Sequence, residues 1–89
     1  MPPVEIYTTS YCPYCSAAKA LLKRKGVDYK EIDLGGDWAQ RDEMIKRANG
    51  RMTVPQIFIG AVHVGGSDDL HALERTGKLD ALLAGEASA

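Results

Sequence analysis

Cys12-Pro13-Tyr14-Cys15 sets two thiols at the ends of a four-residue motif, between an apolar run, Val4 to Thr8, and a helix-like stretch, Ser16 to Lys25. Cysteines at this spacing, after a strand and at the start of a helix, suit reversible dithiol chemistry rather than structural bracing. The first turn of a helix has N–H groups without intrahelical acceptors, and the positive end of the helix dipole lies there, so a thiolate is favoured. Pro13 fits the first helical position, where a missing N–H costs nothing. Cys12 is then expected at the N-cap, exposed and ionised, with Cys15 one turn further in. Taken alone the motif also describes two buried cysteines or half of a zinc site. The strand before it and the helix after it favour the redox reading.

The elements that must hold these thiols follow from periodicity. Val4-Glu5-Ile6-Tyr7-Thr8 alternates and is rich in β-formers, which predicts a strand. A helix is predicted from Pro13 to Lys25, with Ala18, Leu21 and Leu22 on one face and Gly26 ending it. Val27 to Leu34 is predicted as a second strand. Asp37-Trp38-Ala39-Gln40 resembles a capping box and opens a helix that lasts to about Ala48, ended by Asn49-Gly50. Gln56 to Ile59 and Val62 to Val64, separated by Gly60-Ala61, predict a hairpin. Gly65-Gly66-Ser67 leads into a helix from Asp68 to about Arg75, with Ser67 a good N-cap. Lys78 to Leu83 adds a last turn or two of helix. Met1-Pro2-Pro3 and Gly85 to Ala89 read as loose ends. The order β-α-β-α-β-β-α implies an α/β protein: a mixed four-stranded sheet with helices on both faces. Chemistry in such sheets gathers at strand-to-helix loops, and Cys12 is in one.

Bulk properties agree. The 89 residues suit one domain, 1–89, with its core at about 4–83, and 45% hydrophobic content suits an ordinary globule. A net charge of −1 offers no electrostatic basis for binding nucleic acid or an anionic membrane. Apolar stretches are too short to span a bilayer, and the N-terminus lacks the features of a leader peptide. One close cysteine pair fits a reducing cytoplasm better than a disulfide-stapled secreted domain. His63 and His71 have no zinc-ligand spacing with the cysteines, so no metal is expected; His63 reads as an exposed strand residue and His71 as a helix-surface one. Trp38 reads as an anchor against the sheet, and Tyr7, Tyr29 and Phe58 as core or sheet face.

Tyr11-Cys12-Pro13-Tyr14-Cys15, Thr53-Val54-Pro55-Gln56-Ile57-Phe58-Ile59 and Gly65-Gly66-Ser67-Asp68-Asp69-Leu70 together resemble the dithiol glutaredoxins of the small bacterial type. The resemblance runs from about Val4 to Leu83. It implies a thioredoxin fold, glutathione as co-substrate, and reduction of protein disulfides and protein–glutathione mixed disulfides; for the oligomeric state, a monomer is the default expectation. It makes Cys12 the attacking thiolate and Cys15 the resolving thiol. It implies a cis peptide before Pro55, with Thr53 and Val54 offering backbone groups to the substrate as a short extra strand. Physics supports the third motif: a helix N-terminus binds carboxylates, so the Gly66-Ser67-Asp68 turn can receive the γ-glutamyl end of glutathione. Asp68 can also pair with its ammonium, whereas Asp69 reads as an ordinary first-turn acid favoured by the dipole. Tyr14 can shield the active sulfur. The chain departs from the family at Thr9, where many members have lysine. Arg51 or Arg41 is left to receive the glycyl carboxylate, a geometry that arginine suits, though both also read as solvated surface charges. Two rivals remain: a thioredoxin-type reductase fed by a flavoenzyme, which needs no γ-glutamyl site, and a dimeric iron–sulfur carrier, against which Pro13 argues.

Overall fold

β1 (Val4–Thr8) lies inside the sheet, with β2 (Lys30–Asp33) parallel on one side and β3 (Gln56–Ile59) antiparallel on the other. β4 (Val62–Gly65) pairs antiparallel with β3, giving the order β2-β1-β3-β4. The computed structural model describes residues 2–85. Side chains alternate across a strand, so β1 sends Val4 and Ile6 to one face and Tyr7 to the other. On the first face Ile6, Ile57 and Ile59 pack against α1 (Pro13–Arg24), α3 (Ser67–Arg75) and α4 (Lys78–Leu83) through Leu21, Leu22, Leu70 and Leu79. On the second, Tyr7, Ile32, Leu34 and Phe58 meet Met44 of α2 (Trp38–Arg47) and Ala48 just beyond it. This is the predicted mixed sheet with helices on both faces.

Four details differ from the sequence-based expectations. The second strand begins at Lys30 rather than Val27. Gly26 turns left-handed at φ +72°, and the Val27 N–H is spent on the Leu22 carbonyl at 3.1 Å, closing the end of α1. Val27 therefore packs as a core residue, not as a ladder residue. Trp38 is no anchor: it is 76% exposed, because α2 meets the sheet through Met44 and its first turn buries nothing. Pro3 is not loose, since its carbonyl accepts the Gly60 N–H at 2.8 Å. Met1 and residues 86–89 of the expected loose ends lie outside the described residues. Ser67, finally, is the first residue of α3; the cap is Gly66.

Ion pairs tie the layers at their edges. Arg47 donates to Glu5 at 2.8 Å and to the Tyr7 hydroxyl at 2.9 Å, with its guanidinium 4.1 Å from the Phe58 ring centre. Glu31 accepts from buried Thr8 at 2.7 Å and from Lys19 at 3.0 Å, which holds its carboxyl below the usual range. Such partly exposed pairs are worth little individually, and the two apolar layers carry most of the stability.

Candidate active site

Cys12 is the N-cap of α1, with extended backbone at φ −110° and ψ 101°, and Pro13 follows at the first helical position. The Cys15 N–H donates to Cys12 Sγ at 3.1 Å, and the Ser16 N–H to the Cys12 carbonyl at 3.0 Å. The sulfur therefore takes the place that a serine or aspartate oxygen takes in an ordinary N-cap. The two cysteines are joined in a disulfide, their Cα atoms 5.1 Å apart. Cys12 is half-buried, while Cys15 is 2% exposed and packs with the inner face of α1. The two sulfurs are thus unequal in access: an incoming group can reach Cys12 but not Cys15. Tyr11, just before the pair, stands fully in solvent at φ +56°.

Opposite the sulfur lies the segment Thr53-Val54-Pro55, with a cis Val54–Pro55 peptide. Cys12 Sγ is 4.0 Å from the Val54 carbonyl oxygen. Between this rim and the start of α3 opens a cleft of about 390 Å³, within the usual size of small-ligand sites. One wall is Tyr14, Thr53, Val54 and Pro55; the other is Gly66, Ser67 and Asp68, with Arg51 at the edge. All eight residues singled out for ligand binding are therefore brought to one cavity beside the thiol pair. Tyr14 is largely exposed over it.

Asp69 also lines this cleft, and is more than a first-turn acid. Its Oδ2 accepts from the Gly66 N–H at 2.9 Å and from Arg51 at 3.2 Å. This is the reach-back half of a capping box; the next N–H groups of a helix start have no intrahelical acceptor, and Ser67 and Asp68, which carry them here, line the cleft. A slip in strand pairing sets it up. Ile57 faces Gly65 but Phe58 faces His63, so Val64 is the extra residue of a bulge that redirects the chain into Gly65-Gly66. The Gly66 N–H, and after it Arg51, holds the Asp69 carboxyl below its ordinary 3.8. A depressed folded-state value adds stability that is complete above the unfolded value and is lost as pH falls through the folded one. The stability difference between wild type and Asp69→Asn should therefore shrink as pH drops below about 3.8. Urea unfolding at pH 7 and pH 3 measures this; an equal difference at both would mean that the carboxylate charge contributes nothing.

The comparisons with known proteins agree with this geometry. Residues 4–64 match the family model described as Glutaredoxin. The chain belongs to the glutaredoxin family. A glutaredoxin of Pseudomonas aeruginosa is 65% identical over 83 residues, covering 93% of this chain and 98% of that protein. Among solved structures, the Brucella melitensis glutaredoxin superposes with a TM-score of 0.85 at 56% identity, covering all of this chain and 95% of that one. A buckwheat glutaredoxin–glutathione complex superposes with a TM-score of 0.83 at 34% identity, covering 94% and 78%. The architecture is accordingly the thioredoxin fold.

Against the glutaredoxin pattern, two placements stand out. Thr9, in the position where many members have lysine, is half-buried beside the motif. Among the described residues the cation lining the cleft is Arg51, while Arg41 is turned to the Met52 carbonyl at 3.4 Å. The histidines also differ from the surface roles expected of them. His71 is half-buried, with Nδ1 donating to the Ser67 carbonyl at 2.8 Å. His63 is half-buried, stacked on Phe58 at 4.9 Å between ring centres, with Nε2 2.7 Å from Gln56 Oε1. No motif or periodicity marked Gln56, His63 or Asp69 for these contacts.

Proposed function

We propose that the protein reduces glutathione mixed disulfides and protein disulfides with glutathione as co-substrate, Cys12 attacking and Cys15 resolving. The cleft beside Cys12 carries the proposal: it sets a helix N-terminus, the Asp68 carboxylate, and the Arg51 guanidinium with its partner Asp69 around a space fit for a tripeptide. Glutathione has two carboxylates and one ammonium, the complementary set. Its γ-glutamyl carboxylate meets the Ser67 and Asp68 N–H groups, and its ammonium meets the Asp68 carboxylate. The glycyl carboxylate goes to Arg51, whose fork keeps donors free beyond the one given to Asp69. Thr53 and Val54 offer backbone groups to the cysteinyl unit, as a strand edge does. The buckwheat relative, a complex with glutathione, supports this choice of ligand.

The chemistry is thiol–disulfide exchange. The Cys12 thiolate attacks the glutathione sulfur of a mixed disulfide; a Cys12–glutathione disulfide forms, and the target thiolate leaves and takes a proton. A second glutathione thiolate then attacks the bound glutathione sulfur, releasing oxidised glutathione and the Cys12 thiolate. Sulfur exchange requires near-linear alignment, so a cleft that holds both ends of glutathione acts by orienting it. For a disulfide within a protein, the first attack leaves Cys12 joined to the target. The Cys15 thiolate then attacks Cys12, freeing the second target thiol and closing the Cys12–Cys15 disulfide. Neither route requires a metal ion. A working dithiol of this kind suits a reducing cytoplasm, and the reaction can be completed by a monomer.

Turnover of a small glutathione mixed disulfide, supplied with glutathione, NADPH and glutathione reductase, tests the proposal. Wild type is expected to turn over. Asp68→Ala should raise KM for the glutathionyl substrate by about tenfold, the scale of a charge-assisted contact. The capping of Cys12 should be untouched, because its donor is the Cys15 backbone N–H. Unchanged KM would remove Asp68 from the binding site. Absence of turnover in wild type, alongside reduction of a protein disulfide by a flavoenzyme-coupled system, would replace the proposal with the thioredoxin-type reading.

A further inference from the structure

Gln56, at the start of β3, has no exposed surface, yet its side chain links the rim of the cleft to β4. Its Nε2 donates to the Thr53 carbonyl at 3.0 Å and lies 3.2 Å from the Thr53 hydroxyl. Its Oε1 lies 2.7 Å from His63 Nε2. A carboxamide is planar and carries its acceptor and its donor in that plane on either side of the Cγ–Cδ bond, so one partner fixes the other. The Thr53 carbonyl can only accept, which turns Nε2 toward it and Oε1 toward His63. Oε1 can only accept in turn, so the proton of a neutral His63 ring must sit on Nε2. The ring cannot easily swing away, because it stacks on Phe58 at an interplanar angle of 25°. Burial first, then Arg51 in the preceding loop and Arg47 of α2, hold His63 below its ordinary 6.5, opposed by Asp69 of α3. This direction favours the neutral ring, in which the choice of nitrogen matters.

Neither Gln56 nor His63 is among the residues lining the cleft; Thr53, which they hold, is. The next residue, Val54, presents its carbonyl 4.0 Å from Cys12 Sγ. We propose that His63 is a positioning residue for the glutathione reaction, acting through Gln56 to fix Thr53 and so the rim facing Cys12. The proposal rests on the glutathione reading above. In His63→Leu the buried Oε1 loses its donor, the amide turns to find another, and Thr53 is released. The cleft then binds glutathione in a looser register while Cys12 and its helix cap are untouched. A merely structural role would lower stability without this division.

The test combines kinetics with nitrogen NMR of the full chain. In the glutathione mixed-disulfide assay, His63→Leu should raise KM about fivefold, the weight of one hydrogen bond, with kcat within about twofold of wild type. His63→Gln, whose amide can again donate to Oε1, should restore KM. The wild-type His63 ring at pH 7 should show its proton on Nε2, and this preference should be lost in Gln56→Met. Unchanged KM in His63→Leu, no rescue by His63→Gln, or a proton on Nδ1 would each overturn the proposal. If His63→Leu fails to fold, the rescue variant and the wild-type ring spectrum still decide it. Failure of wild type to turn over would instead strike the glutathione reading, and the ring spectrum would still report on the Gln56–His63 contact.

Discussion

Cys12→Ser is expected to reduce turnover of a glutathione mixed disulfide to the uncatalysed rate, while Cys15→Ser keeps it within the order of magnitude of wild type. Access and capping both lead to this asymmetry. Cys12 is half-buried at the mouth of α1, 4.0 Å from the Val54 carbonyl that faces the cleft. Cys15 is 2% exposed and faces inward, where no external disulfide reaches it. The group that stabilises the attacking sulfur is the Cys15 backbone N–H, at 3.1 Å, and serine keeps that N–H. A serine hydroxyl at position 12 offers no thiolate at neutral pH, so nothing remains to attack. Reduction of a protein disulfide should separate the variants differently: Cys15→Ser should stall as a mixed disulfide with its target, trapped because the resolving thiol is gone. Mass spectrometry of the trapped species, together with the glutathione-linked assay, checks both halves. Equal loss of glutathione-linked turnover in the two variants would contradict the assigned roles.

Gly65→Ala should damage both the fold and the cleft. Gly65 sits at φ +114°, a region that only glycine occupies cheaply, and an added Cβ there costs about 1–3 kcal/mol in backbone strain. That Cβ would also meet the Asp69 carboxylate and lie 2.7 Å from Arg51. The Asp69–Arg51 pair, which shapes the start of α3 and the edge of the cleft, would have to move. We expect a fall in Tm on the order of 10 °C and a severalfold rise in KM for the glutathionyl substrate. Gly26→Ala is the control. Gly26 is also left-handed, at φ +72°, but no atom of the described residues lies within 4 Å of its added Cβ. It should lose stability alone, with KM unchanged. Thermal unfolding and steady-state kinetics on the two variants separate strain from displacement, and equal KM values would dissociate the Asp69–Arg51 pair from binding.

Much of the fold was legible because the signals are local. Alternation marks β1, the Gly60-Ala61 turn marks the hairpin, and Asp37 caps α2 by accepting the Gln40 N–H at 3.0 Å, as its spacing predicts. The errors fall where one residue answers two demands. Val27 has strand character, but its N–H is claimed by the end of α1. Trp38 has the size of an anchor, but it stands in the turn of α2 that faces no layer. Ser67 is a better intrinsic cap than glycine, yet the bulge after His63 brings Gly66 to the cap position, where the Asp69 side chain takes its N–H.

From the sequence alone came the thiol pair and its setting. Cys12 caps and Pro13 begins a helix because backbone groups within one turn demand it, whatever the rest of the chain does. The tertiary structure alone decided what surrounds the sulfur. Val54 reaches Cys12, Arg51 reaches Asp69, and His63 reaches Thr53 through Gln56 because strand register and a one-residue bulge bring them together. Pairing register depends on how two apolar layers close around the whole sheet, and no short window of sequence contains that information.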